Sequence, residues 1–193
     1  MGTLTATPLD GLASGSNDKH VIEWDLATNA PARVLEGHED VVSCVRAGAS
    51  GDLLYSASWD KTARVWRDGA CVLTLKGHDK AVWSVLPLDD AEGRVLTASA
   101  DRTIKIWDLA SGTLKLTLTG HISTVRGLAV SARSPYLFSA GEDTTIRLWD
   151  LTTSSCVAVL AAHMSAVASL SVSPRGDFLV SGGSDRVVVV WDL

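Results

Sequence analysis

The 193-residue sequence has few features of secreted, membrane-spanning or nucleic-acid-binding proteins. Its three cysteines are odd in number and form no C-x-x-C motif, which argues against a disulfide framework and favours a reducing compartment, the nucleus or the cytoplasm. No apolar run approaches the length of a membrane span, so no membrane partner is expected. The net charge of −5 argues against sequence-independent binding of nucleic acid phosphates, so no direct nucleic acid partner is expected.

The sequence is also poor in charge and in helical patterning. Charged residues make up 20% of the chain and hydrophobic residues 46%, which argues against disorder. No segment has a helical hydrophobic period long enough to compete with short strands bounded by Gly, Asp or Asn. The chain is therefore expected to be all-β.

A repeat of about 42 residues runs through the chain. Five Trp residues are separated by 42, 41, 42 and 42 positions: Trp24, Trp66, Trp107, Trp149 and Trp191. An Asp lies six residues before each Trp, at Asp18, Asp60, Asp101, Asp143 and Asp185. A hydroxyl lies four residues before each Asp, at Ser14, Ser56, Thr97, Ser139 and Ser181. Four His follow the same period, at His38, His78, His121 and His163, and Gly precedes the first three.

This period, with its Gly-His and Trp-Asp pairs, resembles the WD-repeat family over essentially the whole chain. The resemblance implies a β-propeller with four strands per blade. In the second unit the predicted strands are "VVSCVRAG", "LLYSAS", "TARVW" and "CVLTL". The predicted architecture is one domain over residues 1–193 with about five four-stranded blades, the last incomplete. The predicted repeats span residues 3–36, 41–76, 81–119, 123–160 and 165–193.

The fifth unit stops at "WDL", before a fourth strand. The segment "TLTAT" (3–7) is either the first strand of the first unit or a strand that completes the last blade. The preferred interpretation is part of a larger propeller of seven blades, the usual number in the family, and the alternative is a closed ring of five. The apolar segment "VVVVW" (187–191) would form an exposed edge, which predicts that the chain self-associates through that strand or needs an added strand to stay monomeric.

The repeated Ser, His and Asp residues could be written as a hydrolase triad. A catalytic triad occurs once, with an oxyanion hole and a pocket, whereas this set recurs and always accompanies a Trp. A buried indole N–H and a buried carboxylate both need partners, and a hydroxyl and an imidazole can link them. The resemblance implies the same structural network. Its predicted members are His38, Ser56, Asp60, Trp66, His78, Thr97, Asp101, Trp107, His121, Ser139, Asp143, Trp149, His163, Ser181, Asp185 and Trp191. No catalytic residue, metal site or cofactor is expected, and a hydrolase is the remote alternative.

Two sets of positions vary between the units and are candidates for binding. One precedes the turn Asp and holds Asn17, Trp59, Ala100, Glu142 and Ser184. The other follows the His by five and holds Ser43, Trp83, Arg126 and Ala168. It lies between apolar residues spaced by three, which predicts a β-bulge. In the family both sets face the top of the propeller. The predicted partner surface therefore contains Trp59 and Trp83 as anchors, Arg126 and Glu142 as a polar margin, and also Asn17 and Ser43. The alternative is that Trp59 packs flat on the next blade.

Two closer resemblances suggest partners. Residues 11–107, with "SASWDKTARVW" and "LTASADRTIKIW", are similar to the phospholipase-activating-protein family, which implies a ubiquitin-binding adaptor. Residues 97–143, with "GHISTVRG" and "RSPYLFSAGED", are similar to the pleiotropic regulator family, which implies a pre-mRNA splicing scaffold. The expected function is a non-catalytic scaffold for spliceosomal proteins, with binding of ubiquitin or ubiquitinated proteins as the alternative.

Overall fold

The computed structural model describes residues 3–7, 11–88, 93–131, 134–161 and 163–193. These residues form nineteen strands and no helix. The strands of the first two units are β1 Thr3–Thr7, β2 Gly11–Gly15, β3 Val21–Asp25, β4 Ala30–Leu35, β5 Val42–Ala47, β6 Leu54–Ser58, β7 Thr62–Arg67 and β8 Ala70–Lys76. Those of the last three units are β9 Val82–Pro87, β10 Arg94–Ser99, β11 Ile104–Asp108, β12 Leu114–Leu118, β13 Val125–Val130, β14 Tyr136–Gly141, β15 Ile146–Asp150, β16 Ser155–Leu160, β17 Val167–Val172, β18 Phe178–Gly183 and β19 Val188–Asp192.

The strands form five sheets that follow the order of the chain. Four sheets have four strands each, and the fifth contains β17, β18 and β19. This confirms the predicted five blades with an incomplete last one. The segment 3–7 pairs antiparallel with β2, from Thr3 opposite Gly15 to Thr7 opposite Gly11. It is therefore the first strand of the first sheet, and the alternative that it completes the last blade is wrong.

The chain divides into two compact units. The first comprises Met1–Thr97 and Lys105–Leu116, and the second comprises Ala98–Ile104 and Thr117–Leu193. The first unit contains the first two sheets and much of the third, and the second contains the last two. That the whole chain behaves as one domain stays a prediction.

In the first compact unit the second sheet buries apolar side chains on both of its faces. On one face Trp66 packs with Val21 and Leu35 of the first sheet, and on the other Val65 packs with Trp107 of the third. In the second compact unit Ile146 of the fourth sheet packs with Val167 and Leu179 of the fifth. A strand enclosed on both faces has little use for alternating polar residues, which explains the positive mean hydropathy of the chain.

Beta-bulges interrupt the first strands of three sheets. The pairing register shifts between Val42 and Cys44, between Val125 and Gly127, and between Val167 and Ser169. The extra residues are therefore Ser43, Arg126 and Ala168, which confirms the bulge that the spacing of three predicts. A bulge re-aims the side chain of the extra residue.

We predict that Trp107→Ala lowers the free energy of unfolding by about 3–5 kcal/mol, because a wholly enclosed indole leaves a large cavity. Trp107 is 2% exposed, whereas Val72, on the outer strand β8, is 51% exposed and provides the control Val72→Ala. Urea unfolding followed by circular dichroism measures both. Equal midpoints for the two variants would contradict the prediction.

Candidate protein-interaction surface

A chain of hydrogen bonds crosses the fourth sheet from a Trp to an Asp. The indole N–H of Trp149 donates to Ser139 Oγ at 2.8 Å, and Ser139 Oγ lies 2.7 Å from His121 Nε2. His121 Nδ1 lies 2.8 Å from Asp143 Oδ2. These hydrogen bonds link β15, which carries Trp149, to β14, which carries Ser139. They also link both strands to His121, which precedes β13, and to Asp143 in the turn between β14 and β15.

The donors and acceptors of this chain assign one tautomer of His121. Ser139 Oγ accepts the indole proton, so its own proton is available to His121 Nε2, which acts as the acceptor. The ring proton then lies on Nδ1 and points at the carboxylate of Asp143. Burial lowers the pKa of His121, against the opposing effect of Asp143 and with a contribution from Arg147. Neutral imidazole beside ionised carboxylate satisfies every member of the chain.

The carboxylate of Asp143 also organises the turn that follows β14. Oδ2 accepts from the backbone N–H of Ile122, and Oδ1 accepts from both the N–H and the O–H of Thr145. Burial acts to raise the pKa of Asp143, but the hydrogen bonds from Thr145, Ile122 and His121 outweigh it and lower the pKa. The residue between the two, Thr144, has φ of 67°, a left-handed conformation that the bracketing hydrogen bonds stabilise.

The same positions come together in the other repeats. In the second repeat His38 contacts Ser56 and Asp60, each at 2.7 Å, and Trp66 donates to Ser56. In the fifth repeat His163 contacts Ser181 and Asp185, and Trp191 donates to Ser181.

The third and first repeats show parts of the same arrangement. His78 and Trp107 both contact Thr97 Oγ1, at 2.7 and 2.8 Å. Asp101 accepts from the N–H and O–H of Thr103. In the first repeat Trp24 donates to Ser14, while Asp18 is exposed.

This network has no geometry for nucleophilic chemistry. Ser56, Thr97 and Ser139 are 0% exposed and Ser181 is 1% exposed, so no substrate reaches their hydroxyls. Each hydroxyl is already engaged with a Trp and a His. Across the described residues, no three His, Cys, Asp or Glu side chains cluster as metal ligands would. Among those same residues no helix is long and apolar enough to cross a membrane.

The variable positions differ from the buried network, because two of them bring Trp side chains together at the surface. The rings of Trp59 and Trp83 have centroids 5.1 Å apart and planes inclined at 57°. Trp59 precedes β7 of the second sheet, and Trp83 lies in β9 of the third. Trp59 remains 37% exposed, and Trp83 is partly buried. Trp59 therefore contacts a side chain of the next sheet at a tilt rather than flat, and over a third of it stays exposed. Its role as a partner anchor stays a prediction.

Ser43 and Asn17, also predicted at the partner surface, differ from the Trp pair. Ser43 Oγ donates to Val82 O at 2.6 Å and lies 3.1 Å from Ala57 O. Its hydroxyl therefore links β5 to β9, a structural role that the repeat pattern did not predict. Asn17 is exposed in the turn between β2 and β3.

Arg126 and Glu142 form an ion pair within the fourth sheet. Arg126 Nε donates to Glu142 Oε1 at 2.8 Å, and Nη2 contacts the same oxygen. Partial burial acts to raise the pKa of Glu142, but the hydrogen bond from Arg126 and the bonds from neighbouring residues lower it. The two side chains are 27% and 30% exposed. That this pair and the Trp pair share one surface stays a prediction.

Comparison with known proteins gives consistent results. The family model "WD domain, G-beta repeat" matches residues 29–67, 69–108, 112–150 and 154–192. The structure is similar to the WD40 β-propeller domain of Doa1, with a TM-score of 0.89 and 31% identity over 98% of this chain and 64% of that one.

Two curated relatives match shorter stretches. Pre-mRNA-splicing factor PRP46 of Debaryomyces hansenii is 70% identical over 44 residues, 23% of this chain and 11% of that protein. Phospholipase A-2-activating protein of Xenopus laevis is 40% identical over 74 residues, 38% of this chain and 9% of that protein. The chain thus matches only about a tenth of the length of either relative.

We predict that acid destabilises the protein in two stages. The pKa of His121 is lower in the folded protein than its ordinary value of 6.5, so its contribution is complete above pH 6.5 and declines as the pH falls below it. The pKa values of Asp60 and Asp143 are also lowered from 3.8, so their contributions decline below about pH 4. The loss in the first stage is on the order of 1 kcal/mol per pH unit.

Urea unfolding at pH 7.5 and pH 5.5 measures the first stage. His121→Gln should reduce the difference between the two pH values, whereas Val72→Ala, which removes no titratable group from an exposed position, should leave it unchanged. A wild-type free energy of unfolding that is the same at both pH values would contradict the assignment.

Proposed function

Because the chain belongs to the WD40 repeat family, we propose that it is a non-catalytic scaffold whose protein partner docks on the Trp59–Trp83 pair. The observation that supports this proposal is the contact of the two rings at 5.1 Å on an exposed surface. Neighbouring aromatic residues with partial exposure present a large apolar area at little cost in side-chain entropy.

The fold does not account for these two Trp residues. Every unit has its own Trp for the buried hydrogen-bond chain, and Trp59 and Trp83 are additional to those five. Equivalent positions in the other units hold Asn17, Glu142, Ser43 and Arg126, which share no size or polarity. Trp and Arg are the residue types most enriched among interface hot spots.

The first candidate for the partner is a protein of a pre-mRNA splicing assembly. The support is the 70% identity to a pre-mRNA-splicing factor over 44 residues, together with the resemblance of residues 97–143. The Arg126–Glu142 pair lies in that segment and would contribute polar contacts. On this proposal the protein acts in the nucleus.

The second candidate is ubiquitin or a ubiquitinated protein. The support is the 40% identity to phospholipase A-2-activating protein over 74 residues, together with the resemblance of residues 11–107. Trp59 and Trp83 both lie in that segment, so this candidate explains the Trp pair more directly. On this proposal the protein acts in the nucleus or the cytoplasm.

We predict that Trp59→Ala and Trp83→Ala each weaken partner binding by at least ~2 kcal/mol, roughly thirtyfold in Kd, because each removes an anchor from the surface. Loss of the contact between the two rings should lower the free energy of unfolding of each variant by only about 0.5–1.5 kcal/mol, in addition to the effect of the smaller buried apolar area. Affinity purification with the wild-type chain separates spliceosomal proteins from ubiquitin conjugates, and titration calorimetry with the purified partner gives the affinities.

Leu26→Ala is the matched control, because Leu26 is exposed and apolar but lies away from the variable positions. Its affinity should equal that of the wild type. Wild-type affinity in both Trp variants, or unfolding of both variants, would refute the proposed surface.

A further inference from the structure

A cationic cavity lies on the second sheet, beside the turn between β6 and β7. It has a volume of about 280 Å³, and its lining includes Lys61 of that turn, Arg64 of β7 and Lys76 at the end of β8. All of its lining residues belong to the first compact unit. Both lysines are exposed, and neither forms an ion pair among the residues that the structure describes.

Arg64 lines this cavity without a carboxylate partner. Its Cζ lies 6.0 Å from the centre of the Trp66 ring, and its Nη1 makes one weak contact, at 3.8 Å, with Cys71 Sγ. Its Nε is buried and has no hydrogen-bond partner within the described part of the chain. A guanidinium carries five N–H donors, which match the oxygens of a carboxylate or a phosphate. The cavity therefore combines an incompletely bonded guanidinium with two unpaired ammonium groups.

The fourth sheet contains the same arginine without the two lysines. Arg147 occupies the position of Arg64 in the repeat, its Nη1 lies 3.7 Å from Cys156 Sγ, and its Nε is likewise buried without a partner. Thr144 and Ala161 stand at the positions of the lysines. The arginine is therefore shared by the two sheets, whereas its combination with two further cations occurs only in the second of them.

Two carboxylates also line the cavity. Asp60 is already engaged, because Oδ2 accepts from the backbone N–H of Glu39 and contacts His38, while Oδ1 accepts from Thr62. Glu39 is exposed, so its carboxylate is the one group that would oppose a bound anion. Three cations against two carboxylates leave an excess of positive charge in the cavity.

We propose that this cavity binds the phosphate group of a phosphorylated serine or threonine in a partner protein. A phosphate monoester carries a charge of about −1.5 to −2 at neutral pH and three strong acceptor oxygens, which two ammonium groups and a guanidinium can satisfy. One small cavity with three cations suits a single phosphate. The backbone of a nucleic acid needs an extended basic surface, which the net charge of −5 argues against.

The position of the cavity favours a protein as the source of the phosphate. Lys61 follows Trp59 by two residues in the same turn, so a protein that docks on the Trp59–Trp83 pair would pass close to the cavity. A membrane surface is recognised by clusters of roughly four to eight cations, more than this cavity holds. The choice of a protein rests on the function proposed above, whereas the phosphate site rests on the cavity alone.

The probe is a short peptide with neutral flanks, Gly-Gly-Ala-phosphoserine-Ala-Gly-Gly. We expect saturable binding to the full isotope-labelled chain in an NMR titration, with shifts at the amides of Thr62 and Gly77, which line the cavity. The same peptide with unphosphorylated serine should bind at least about tenfold more weakly, because it offers no charge-assisted hydrogen bonds. Added salt should weaken binding of the phosphopeptide, since the two lysines are exposed and their charges are screened.

Protein variants localise the binding. Arg64→Gln, and separately the double variant Lys61→Gln with Lys76→Gln, should each weaken binding of the phosphopeptide at least about tenfold, because each removes charged donors. Arg147→Gln is the matched control, because it removes the same arginine from a sheet without the lysines, and it should bind like the wild type. Glu39→Gln should bind about two- to threefold more tightly, because it removes the opposing charge.

Three results would overturn the proposal: equal binding of the two peptides, wild-type affinity in the lysine double variant, or an equal loss in the Arg64→Gln and Arg147→Gln variants. Binding to phosphatidylcholine vesicles that contain a phosphatidylinositol monophosphate, by a chain that does not bind the phosphopeptide, would also overturn it, because the ligand would then be a lipid headgroup. The titration contains no partner protein, so its result is distinguishable from a failure of the Trp59–Trp83 surface.

Discussion

The buried hydrogen-bond chain from Trp through a hydroxyl and His to Asp is the interaction on which the rest of the structure depends. In the fourth sheet it connects Trp149, Ser139, His121 and Asp143 in one direction of donation that leaves no member without a partner. A buried donor or acceptor left without a partner would cost about 1–3 kcal/mol. Loss of one member therefore weakens the contacts of the others, and the chain acts as a unit that fixes the strands of a sheet and the turn between two of them.

Fixing the sheet in this way leaves other positions free to vary. The residue before each turn Asp and the bulged residue of each first strand lie next to the network without belonging to it. The backbone at the residue before the turn Asp is held by bonds such as that from Trp59 N–H to Val41 O and from Glu142 N–H to Thr124 O, whatever the side chain. Five units with nearly the same framework can thus present Trp, Arg, Glu, Asn or Ser at the surface. This difference is why the repeated residues predict the fold, while the variable residues include the proposed binding positions.

Much of the fold could be predicted from the sequence, because comparing the five repeats with one another shows which positions recur and which vary. The spacing of Trp, Asp and His predicts the strands, the incomplete last sheet and the bulge at Ser43 and Arg126. The choice of partner by each variable side chain could not be predicted. Trp59 reaches forward to Trp83 in the next sheet, whereas Glu142, at the equivalent position, pairs with Arg126 of its own sheet. Position in the repeat is the same in both cases, but an ion pair and a ring contact select different neighbours. The bond from Ser43 to Val82 O escaped prediction for a similar reason, since it depends on where the bulge aims the hydroxyl.

The physical character of the Trp59–Trp83 pair bears on what it could recognise. The pair offers side-chain surface and no backbone groups, so it would select a partner by shape and apolar area. The two rings meet at a tilt, with their centroids 5.1 Å apart. A partner would therefore meet one continuous aromatic surface that two neighbouring sheets hold in place.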